Sequence, residues 1–360
     1  MEPGDLWTSR VESKFKGREP HIVRREDGSD WWVCDDHLLV GAFAGSQTGV
    51  RFDEPEKLSV LDTVENIRPG GYIPEEHIKD MEIDGIDVSI VYPTAGVLIH
   101  GIKDGELLSA IFSTYNDWVA DFCQTSPERL KGIAMLNIDD VGQGVTELVQ
   151  RANQGFVGAL ITVYPPEGSR YDSPEYDLLW GAAQDLEMPL SLHLATNRLG
   201  SGEGGGDRPG DRRFSILPNS DFFVRVSVAD MISVGVFERF PKLQVGAVEQ
   251  QLGWVPFFLE RMDYAYNQRG SGRQGYRFKE DMLPSDFFHR NVFLGFQEDE
   301  LGIRLRDMTE VDSLQWVSDY PHMESTFHGS QQILEEILVD CTEEEKAKIA
   351  GGNAARIYKV

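Results

Sequence analysis

The sequence predicts an α/β protein, and the architecture that fits it best is a (β/α)8 (TIM) barrel. Seven short apolar runs alternate with stretches of helical periodicity from about residue 83 to the end of the chain. The runs are continuous rather than alternating, which is typical of parallel strands covered on both faces. A doubly wound nucleotide-binding sheet, the other architecture with this alternation, normally carries a glycine-rich turn after its first strand. This chain has no such turn there, so we favour the barrel.

Each apolar run is a strand candidate, and the helical stretches lie between them. The runs are IDVSIVYP (86–93), KGIAMLNI (131–138), GALITVYP (158–165), PLSLHLA (189–195), LQVGAVE (243–249), NVFLGF (291–296) and LQWVSDY (314–320). The clearest helix repeats apolar side chains at spacings of three and four between residues 107 and 122. Further helical stretches are predicted at 142–154, 174–187, 221–239 and near 342–350.

Residues 1–80 have a different pattern. WWV (31–33) and LLVGAF (38–43) predict a β-hairpin, and a polar segment marked by proline and glycine follows it. We expect this region to be an insertion packed on the barrel, so that residues 1–360 form one domain with the barrel core at 81–360. The glycine cluster at 200–210 is interpreted either as an active-site lid or as a solvent loop.

Composition limits the classes of partner. The chain has 360 residues, 60 of them acidic and 34 basic, and a formal net charge of −26. Such a surface repels nucleic acid and anionic lipid, so neither is an expected partner. We expect a small-molecule substrate and a homo-oligomer. The three cysteines (Cys34, Cys123 and Cys341) form no CxxC motif, which favours a reducing compartment and disfavours a thiolate metal site. Neither a membrane-length apolar run nor a signal-peptide pattern is found, so a cytoplasmic protein is expected.

Two strand candidates end in ionisable side chains. LQWVSDYPHMESTF (314–327) carries Asp319 into a loop, and His193 interrupts the apolar run MPLSLHLAT. Buried strands rarely carry ionisable groups that have no partner, because an unpaired buried charge is costly. The carboxyl ends of barrel strands meet at one face. The sequence therefore predicts that both side chains converge there on a divalent metal.

Several blocks of the sequence resemble one known family, the amidohydrolase-2 family, which includes the aminocarboxymuconate-semialdehyde decarboxylase-like enzymes. The blocks are FPKLQVGAVEQQLGWVPFFLERMD (240–263), SLHLAT, PHMES, the terminal NAARIYKV and the opening EPGDLW. The resemblance spans essentially the whole chain. It implies a (β/α)8 barrel, a divalent metal, and hydrolysis or non-oxidative decarboxylation of small carboxylated or carbonyl-containing substrates.

The resemblance also implies roles for individual residues. His193 matches a metal-ligand histidine after strand five, and Asp319 matches a strand-eight aspartate that binds metal and handles a proton. Glu249 stands where the decarboxylase-like members usually place an acid/base histidine. We therefore consider Glu249 a catalytic acid/base and a metal ligand, with an ion pair to Arg261 as the alternative.

Further candidates lie near these positions. His322 is a candidate catalytic or orienting residue, and Glu324 and Arg261 are candidate substrate contacts. For the two loop residues, His322 and Glu324, a solvated turn is the alternative. We expect one or two divalent metal ions, with zinc as the first expectation and manganese or iron as alternatives, because oxygen and nitrogen donors discriminate little among them.

Three functional hypotheses follow. The first is a metal-dependent hydrolase or decarboxylase. The second is a non-haem iron oxygenase on the same scaffold, since a carboxylate at position 249 makes a dinuclear iron site conceivable. The third is a non-catalytic protein with a degraded metal site. Metal analysis separates them, because the first binds zinc or manganese, the second binds iron and the third binds none.

The start of the chain departs from the family pattern. Family members begin with a strand that carries a His-x-His or Asp-x-His ligand pair just before an EP-x-DLW-like stretch, whereas here Met1 directly precedes EPGDLW. One expectation is that the natural protein begins upstream and that this version is deficient in metal affinity. The other is that two ligands have been lost. If the 360-residue chain binds metal, Glu249, His322 and Glu324 are the first candidates for replacement ligands.

Overall fold

The fold is taken from a computed structural model of the chain. It describes residues 1–43, 45–50, 55–59, 62–198, 217–269 and 275–360. The glycine cluster at 200–210, interpreted above as a lid or a solvent loop, lies outside the described residues. Within the part of the chain that the structure describes, no helix is both long enough and apolar enough to cross a lipid bilayer.

Within the described residues, ten strands form two sheets. The strands are β1 (His21–Arg24), β2 (Asp30–Cys34), β3 (His37–Gly41), β4 (Ser89–Val91), β5 (Leu130–Met135), β6 (Gly158–Ile161), β7 (Leu190–His193), β8 (Val245–Val248), β9 (Val292–Phe296) and β10 (Leu314–Trp316). Strands β1 to β3 form an antiparallel sheet, and β4 to β10 form a parallel sheet in chain order. All seven strands of the parallel sheet coincide with the seven predicted apolar runs.

Helices fill the connections. They are α1 (Leu6–Arg10), α2 (Pro74–Asp84), α3 (Ala95–Ile99), α4 (Gly105–Cys123), α5 (Val141–Asn153), α6 (Asp177–Asp185), α7 (Phe222–Ser233), α8 (Val236–Arg239), α9 (Val255–Gln268), α10 (Pro284–Asn291), α11 (Glu300–Arg304), α12 (Arg306–Thr309), α13 (Ser330–Ile337), α14 (Glu343–Ala347) and α15 (Asn353–Tyr358). The stretch predicted as one helix at 221–239 is two helices. Gly235 separates them with a left-handed φ of 73°, which only glycine adopts at little cost.

The parallel sheet is buried on both faces, as its apolar strands require. Strands β6, β8 and β9 consist entirely of buried residues. Helix α4 lies against β5 and begins at Asp104, whose side chain accepts hydrogen bonds from the backbone N–H groups of Glu106 and Leu107. This layered arrangement leaves the ends of the strands as the place where polar side chains meet.

The N-terminal region contains one strand more than the sequence predicted. Strand β1 is short and half polar, so its sequence gives little strand signal, but it pairs with β2 throughout. The indole ring of Trp32 on β2 packs edge-on against Trp7 of α1, with ring centroids 5.4 Å apart. The Trp7 indole N–H in turn donates to the Ile111 carbonyl of α4 at 3.0 Å. These contacts fasten the small sheet to the helices around the parallel sheet.

The two edge strands of the parallel sheet, β4 and β10, approach each other through their flanking residues. Helix α2 leads into β4, and its Asp84 accepts a hydrogen bond from the Ser330 backbone N–H, 3.0 Å away at the start of α13. Pro321, in the loop after β10, lies against Gly71, just before α2. The sheet is therefore curled like a barrel wall. Among the described residues it has seven strands, where the sequence predicted eight with the first one in doubt.

His77 on α2 packs beside this junction as a neutral, buried imidazole. Its Nδ1 lies 2.9 Å from the Gly70 carbonyl oxygen, and its Nε2 lies 3.1 Å from the Ser89 hydroxyl at the start of β4. Both ring nitrogens are thus hydrogen-bonded to neutral groups. Burial, only partly opposed by the Gly70 hydrogen bond, lowers the pKa of His77 to about 4 from its ordinary value of 6.5.

This histidine should make folding acid-sensitive. Between pH 6.5 and pH 4 the unfolded chain binds a proton at His77 that the folded chain excludes. Its contribution is fully present above pH 6.5 and declines by about 3 kcal/mol as the pH falls to 4. Urea unfolding across this range should therefore show a shallower pH slope for His77→Gln than for the unmodified protein. The same change at exposed His37 should leave the slope unchanged, and parallel slopes for both variants would contradict the assignment.

Candidate active site

Three strands deliver ionisable side chains to one end of the parallel sheet. His193 is the last residue of β7, Glu249 directly follows β8, and Asp319 lies three residues beyond β10. Because the strands are parallel, their carboxyl ends share one face of the sheet. The Nε2 atom of His193 lies 3.3 Å from Oε2 of Glu249. The structure thus brings these two predicted site residues into contact.

Asp319 joins Glu249 in a tighter group with two loop residues. Each of Glu249, Asp319, His322 and Glu324 offers one donor atom, and these four atoms all lie within 4.8 Å of one another. Asp319 Oδ2 lies 2.9 Å from His322 Nδ1, yet within the described chain it receives no donor in hydrogen-bond geometry. A group of carboxylate and imidazole donors with an unsatisfied oxygen fits a divalent cation. These four residues are called the acidic cluster below.

The backbone is strained where the cluster residues leave their strands. Glu249 and Asp319 have φ angles of 60° and 55°, and Ala195, two residues after His193, has 66°. Side chains other than glycine rarely adopt this left-handed region, and each such residue costs on the order of 1–3 kcal/mol. Strain of this kind persists only where the surroundings impose it, and it concentrates at functional sites. Its recurrence at three strand ends supports a functional role for this face.

His193 is held in one tautomer. Its Nδ1 lies 2.9 Å from the Leu194 carbonyl oxygen, which can only accept a hydrogen bond, so Nδ1 carries a proton. Burial lowers the pKa of His193 and keeps the ring neutral. Nε2, the atom close to Glu249, is therefore free to present its lone pair. That is the form in which an imidazole binds a metal ion.

Burial and mutual repulsion shift the titration of the acidic cluster. Burial and the neighbouring Asp319 raise the pKa of Glu249 to about 8, and burial raises the pKa of Glu324. Burial disfavours the charged form of His322, but the nearby carboxylates of Asp319 and Glu249 outweigh it and raise the pKa of His322 to about 9. Protons thus supply the positive charge that the crowded carboxylates require. A divalent cation can replace these protons.

Arg261 lies apart from the acidic cluster. It is exposed on α9, with its guanidinium carbon 4.5 Å from the centre of the Tyr264 ring. Among the described residues it forms no ion pair with Glu249, whose carboxylate contacts His193 instead. Helical periodicity explains the difference, because Arg261 falls on the outer face of a helix whose buried residues are Val255, Phe258 and Leu259.

The structure also adds residues that sequence reasoning missed. Tyr92, just after β4, has its hydroxyl 2.7 Å from the Ser191 hydroxyl and 2.8 Å from that of Tyr358, and its ring centroid lies 6.0 Å from that of His193. Tyr92 lies near the end of the predicted strand run IDVSIVYP (86–93), and this position could have marked it as a candidate site residue. A tyrosine that follows a parallel strand stands at the same face as the other strand-end residues.

Glu2 is a second residue that the sequence did not single out. It is 0% exposed, and its carboxylate accepts hydrogen bonds from the backbone N–H groups of Thr94, Ala95 and Gly96 at 2.9–3.2 Å. These three residues form the turn from β4 into α3. Glu2 therefore fixes the loop that follows β4, on the same side of the sheet as the acidic cluster.

Comparison with known proteins identifies relatives along most of the chain. Residues 67–360 match the model of a family described as Amidohydrolase. A gamma-resorcylate decarboxylase from Rhizobium sp. is 24% identical over 306 residues, which cover 80% of this chain and 88% of the relative.

Two solved structures share the fold. An amidohydrolase from Mycobacterium avium subsp. paratuberculosis superimposes with a TM-score of 0.77 at 21% identity, and the match covers 99% of this chain and 96% of the other. A 5-carboxyvanillate decarboxylase from Novosphingobium aromaticivorans, solved with manganese and 3-methoxy-4-hydroxy-5-nitrobenzoic acid, gives 0.65 at 22% identity, covering 79% and 80%. At this level of identity the likeness establishes the architecture.

Proposed function

Because the chain belongs to the amidohydrolase family, we propose that it is a metal-dependent lyase that removes carbon dioxide, without oxidation, from a small hydroxylated aromatic acid. The acidic cluster at the carboxyl end of the parallel sheet is the observation that carries this proposal. The relatives named as gamma-resorcylate and 5-carboxyvanillate decarboxylases support the class of substrate.

His193 and Asp319 are the residues proposed to hold the metal, with Glu249, His322 and Glu324 beside them. A bound divalent ion supplies Lewis-acid charge that neutralises substrate oxygens. Manganese is proposed ahead of zinc, because the acidic cluster is rich in carboxylate oxygens and the 5-carboxyvanillate decarboxylase structure contains manganese. Glu324 keeps its proposed role as a substrate contact, whereas Arg261 is left out of the proposed site.

The protein's own side chains are proposed to supply a proton for the ring carbon and a binding group for the substrate carboxylate. Decarboxylation breaks the bond between the ring carbon and the carboxylate, and the ring carbon then carries a proton where the carboxylate was. Glu249 is proposed as the donor of that proton, because its carboxyl group lies within the acidic cluster and burial favours its protonated form. His322, whose Nδ1 lies 2.9 Å from Asp319 Oδ2, is proposed to face the substrate carboxylate as a hydrogen-bond donor.

The test is turnover by purified protein after dialysis against manganese, zinc or iron. Incubation with 2,6-dihydroxybenzoate and 5-carboxyvanillate should release carbon dioxide and the decarboxylated phenol, quantified by chromatography. We expect release with manganese at a rate that exceeds the metal-free rate. Iron retention with oxygen consumption would favour the oxygenase hypothesis instead, and absence of both turnover and bound metal would favour the non-catalytic one.

A further inference from the structure

Three hydrogen-bonded side chains, Arg68, Asp80 and Tyr320, join the segment before β4 to the loop after β10, and the Asp80 carboxylate at their centre is buried. The Nε and Nη2 atoms of Arg68 donate to the two carboxylate oxygens of Asp80 at 2.7 and 2.5 Å. The Tyr320 hydroxyl donates to the same carboxylate. Asp80 is only 5% exposed, and burial alone would raise its pKa, but the hydrogen bonds from Arg68 and Tyr320 outweigh burial and lower it. The carboxylate is thus held ionised between two fixed donors.

The Tyr320 ring is also fixed by packing. It meets the rings of His77 and Phe327 edge-on, each with centroids 5.2 Å apart. The guanidinium of Arg68 lies 4.8 Å from the centre of the Phe327 ring. Arg68 therefore contacts both the Asp80 carboxylate and an aromatic ring that packs on Tyr320. At Gly70 even a single methyl group would overlap both the Asp80 carboxylate and the Tyr320 hydroxyl. Gly70 therefore leaves no room for a side chain beside this hydrogen bond.

This group is covalently next to a residue of the acidic cluster that has a left-handed backbone conformation. Tyr320 directly follows Asp319, whose φ is 55°. The loop also makes backbone hydrogen bonds, among them those from His322 N to the Asp319 carbonyl at 2.8 Å and from Thr326 N to the Ser318 carbonyl at 3.1 Å, but these do not hold the Tyr320 side chain. A left-handed residue keeps its conformation only if the chain is held on both sides of it. Strand β10 holds the chain before Asp319, and the Tyr320 side chain holds the chain after it.

We propose that Arg68, Asp80 and Tyr320 form a positioning clamp. The clamp holds Asp319 and His322 in the positions that they occupy in the acidic cluster. The clamp acts through the loop backbone and touches neither metal nor substrate. It rests on the proposed function, since ligand geometry matters only if the acidic cluster binds a metal. The clamp differs from a contact that only stabilises the fold. Its loss should change the geometry of the acidic cluster while the parallel sheet stays folded.

The principal variant is Tyr320→Phe, which removes one oxygen atom and keeps the packed ring. Manganese affinity, measured by isothermal titration calorimetry, should fall on the order of 10-fold, as it does when partners that orient ligands are lost. Asp80→Asn should act in the same direction. Arg68→Lys, which keeps the charge but loses the two-pronged pairing, should lie between the unmodified protein and Arg68→Ala.

The matched control is Asp230→Asn. Asp230 on α7 is also buried and also receives both prongs of an arginine, Arg170, at 2.8 Å for the Nε bond. Its loss should lower the unfolding temperature without changing manganese affinity. If Asp230→Asn weakens manganese binding as much as Asp80→Asn does, the clamp has only a structural role and the proposal fails.

A readout without metal separates this proposal from the proposed function. The side-chain nuclear magnetic resonance signals of His322, assigned with His322→Gln, should move in Tyr320→Phe and stay in place in Asp230→Asn. Absence of manganese binding in the unmodified protein would reject the proposed function, while shifted His322 signals would still uphold the clamp. Unshifted His322 signals in both Tyr320→Phe and Asp80→Asn would overturn it, whatever the metal result.

Discussion

Replacing Asp319 by Asn is expected to abolish metal binding and decarboxylation while the protein stays folded. The substitution removes the charge of an oxygen that lies within 4.8 Å of the other donors of the acidic cluster. Asparagine tolerates the left-handed conformation at φ 55° better than most residues, so the backbone loses little. We expect manganese affinity to fall by more than about 100-fold, beyond the range for residues that only orient ligands.

Calorimetry with manganese and circular dichroism of the same sample measure the two parts of this prediction. The control is Asp121→Asn, which changes an exposed carboxylate paired with Arg10. Its manganese affinity and turnover should match those of the unmodified protein. Full manganese binding by the folded Asp319→Asn variant would remove Asp319 from the site.

Replacing Glu249 by Gln should affect the chemical step more than metal binding. Glutamine keeps the shape of the side chain and retains oxygen and nitrogen atoms near His193, but it has no acidic proton to deliver. Positioned general acids contribute about 10²–10⁴-fold to rate, so kcat should fall by a factor in that range. Manganese affinity should fall less than in Asp319→Asn.

Steady-state kinetics on the manganese-loaded variant measure this split between kcat and affinity. The control is Glu300→Gln on α11, where the side chain is 73% exposed and pairs only with Arg304 among the described residues. A Glu249→Gln variant that keeps the unmodified kcat would reject Glu249 as the proton donor. The role would then pass to His322 or Glu324, the other cluster residues whose pKa values are raised.

The parallel sheet was predictable because its strands are buried on both faces and therefore read as continuous apolar runs. Strand β1 was missed, since HIVR (21–24) is short and its last two residues are exposed. The split at Gly235 was also missed, because apolar periodicity continues across it. Strand pairing defines β1, and a left-handed backbone conformation ends α7. Hydrophobic periodicity reports neither of these properties.

The positions of His193, Glu249 and Asp319 could be predicted from one rule, that parallel strands share a carboxyl end. The same rule says nothing about side chains on helices, and Arg261 lies on the outside of α9. Nor could the contact between Asp80 and Tyr320 be predicted, because 240 residues separate them and Asp80 lies within a helix. The left-handed conformations of Glu249 and Asp319 are likewise a property of the folded chain.

Equilibrium binding of manganese to the 360-residue chain, followed by electron paramagnetic resonance, tests the central claim most directly. The acidic cluster predicts one bound manganese ion per chain, lost in Asp319→Asn and retained in Asp121→Asn. Binding of no manganese, or binding that Asp319→Asn leaves intact, would contradict the assignment of this face as a metal centre.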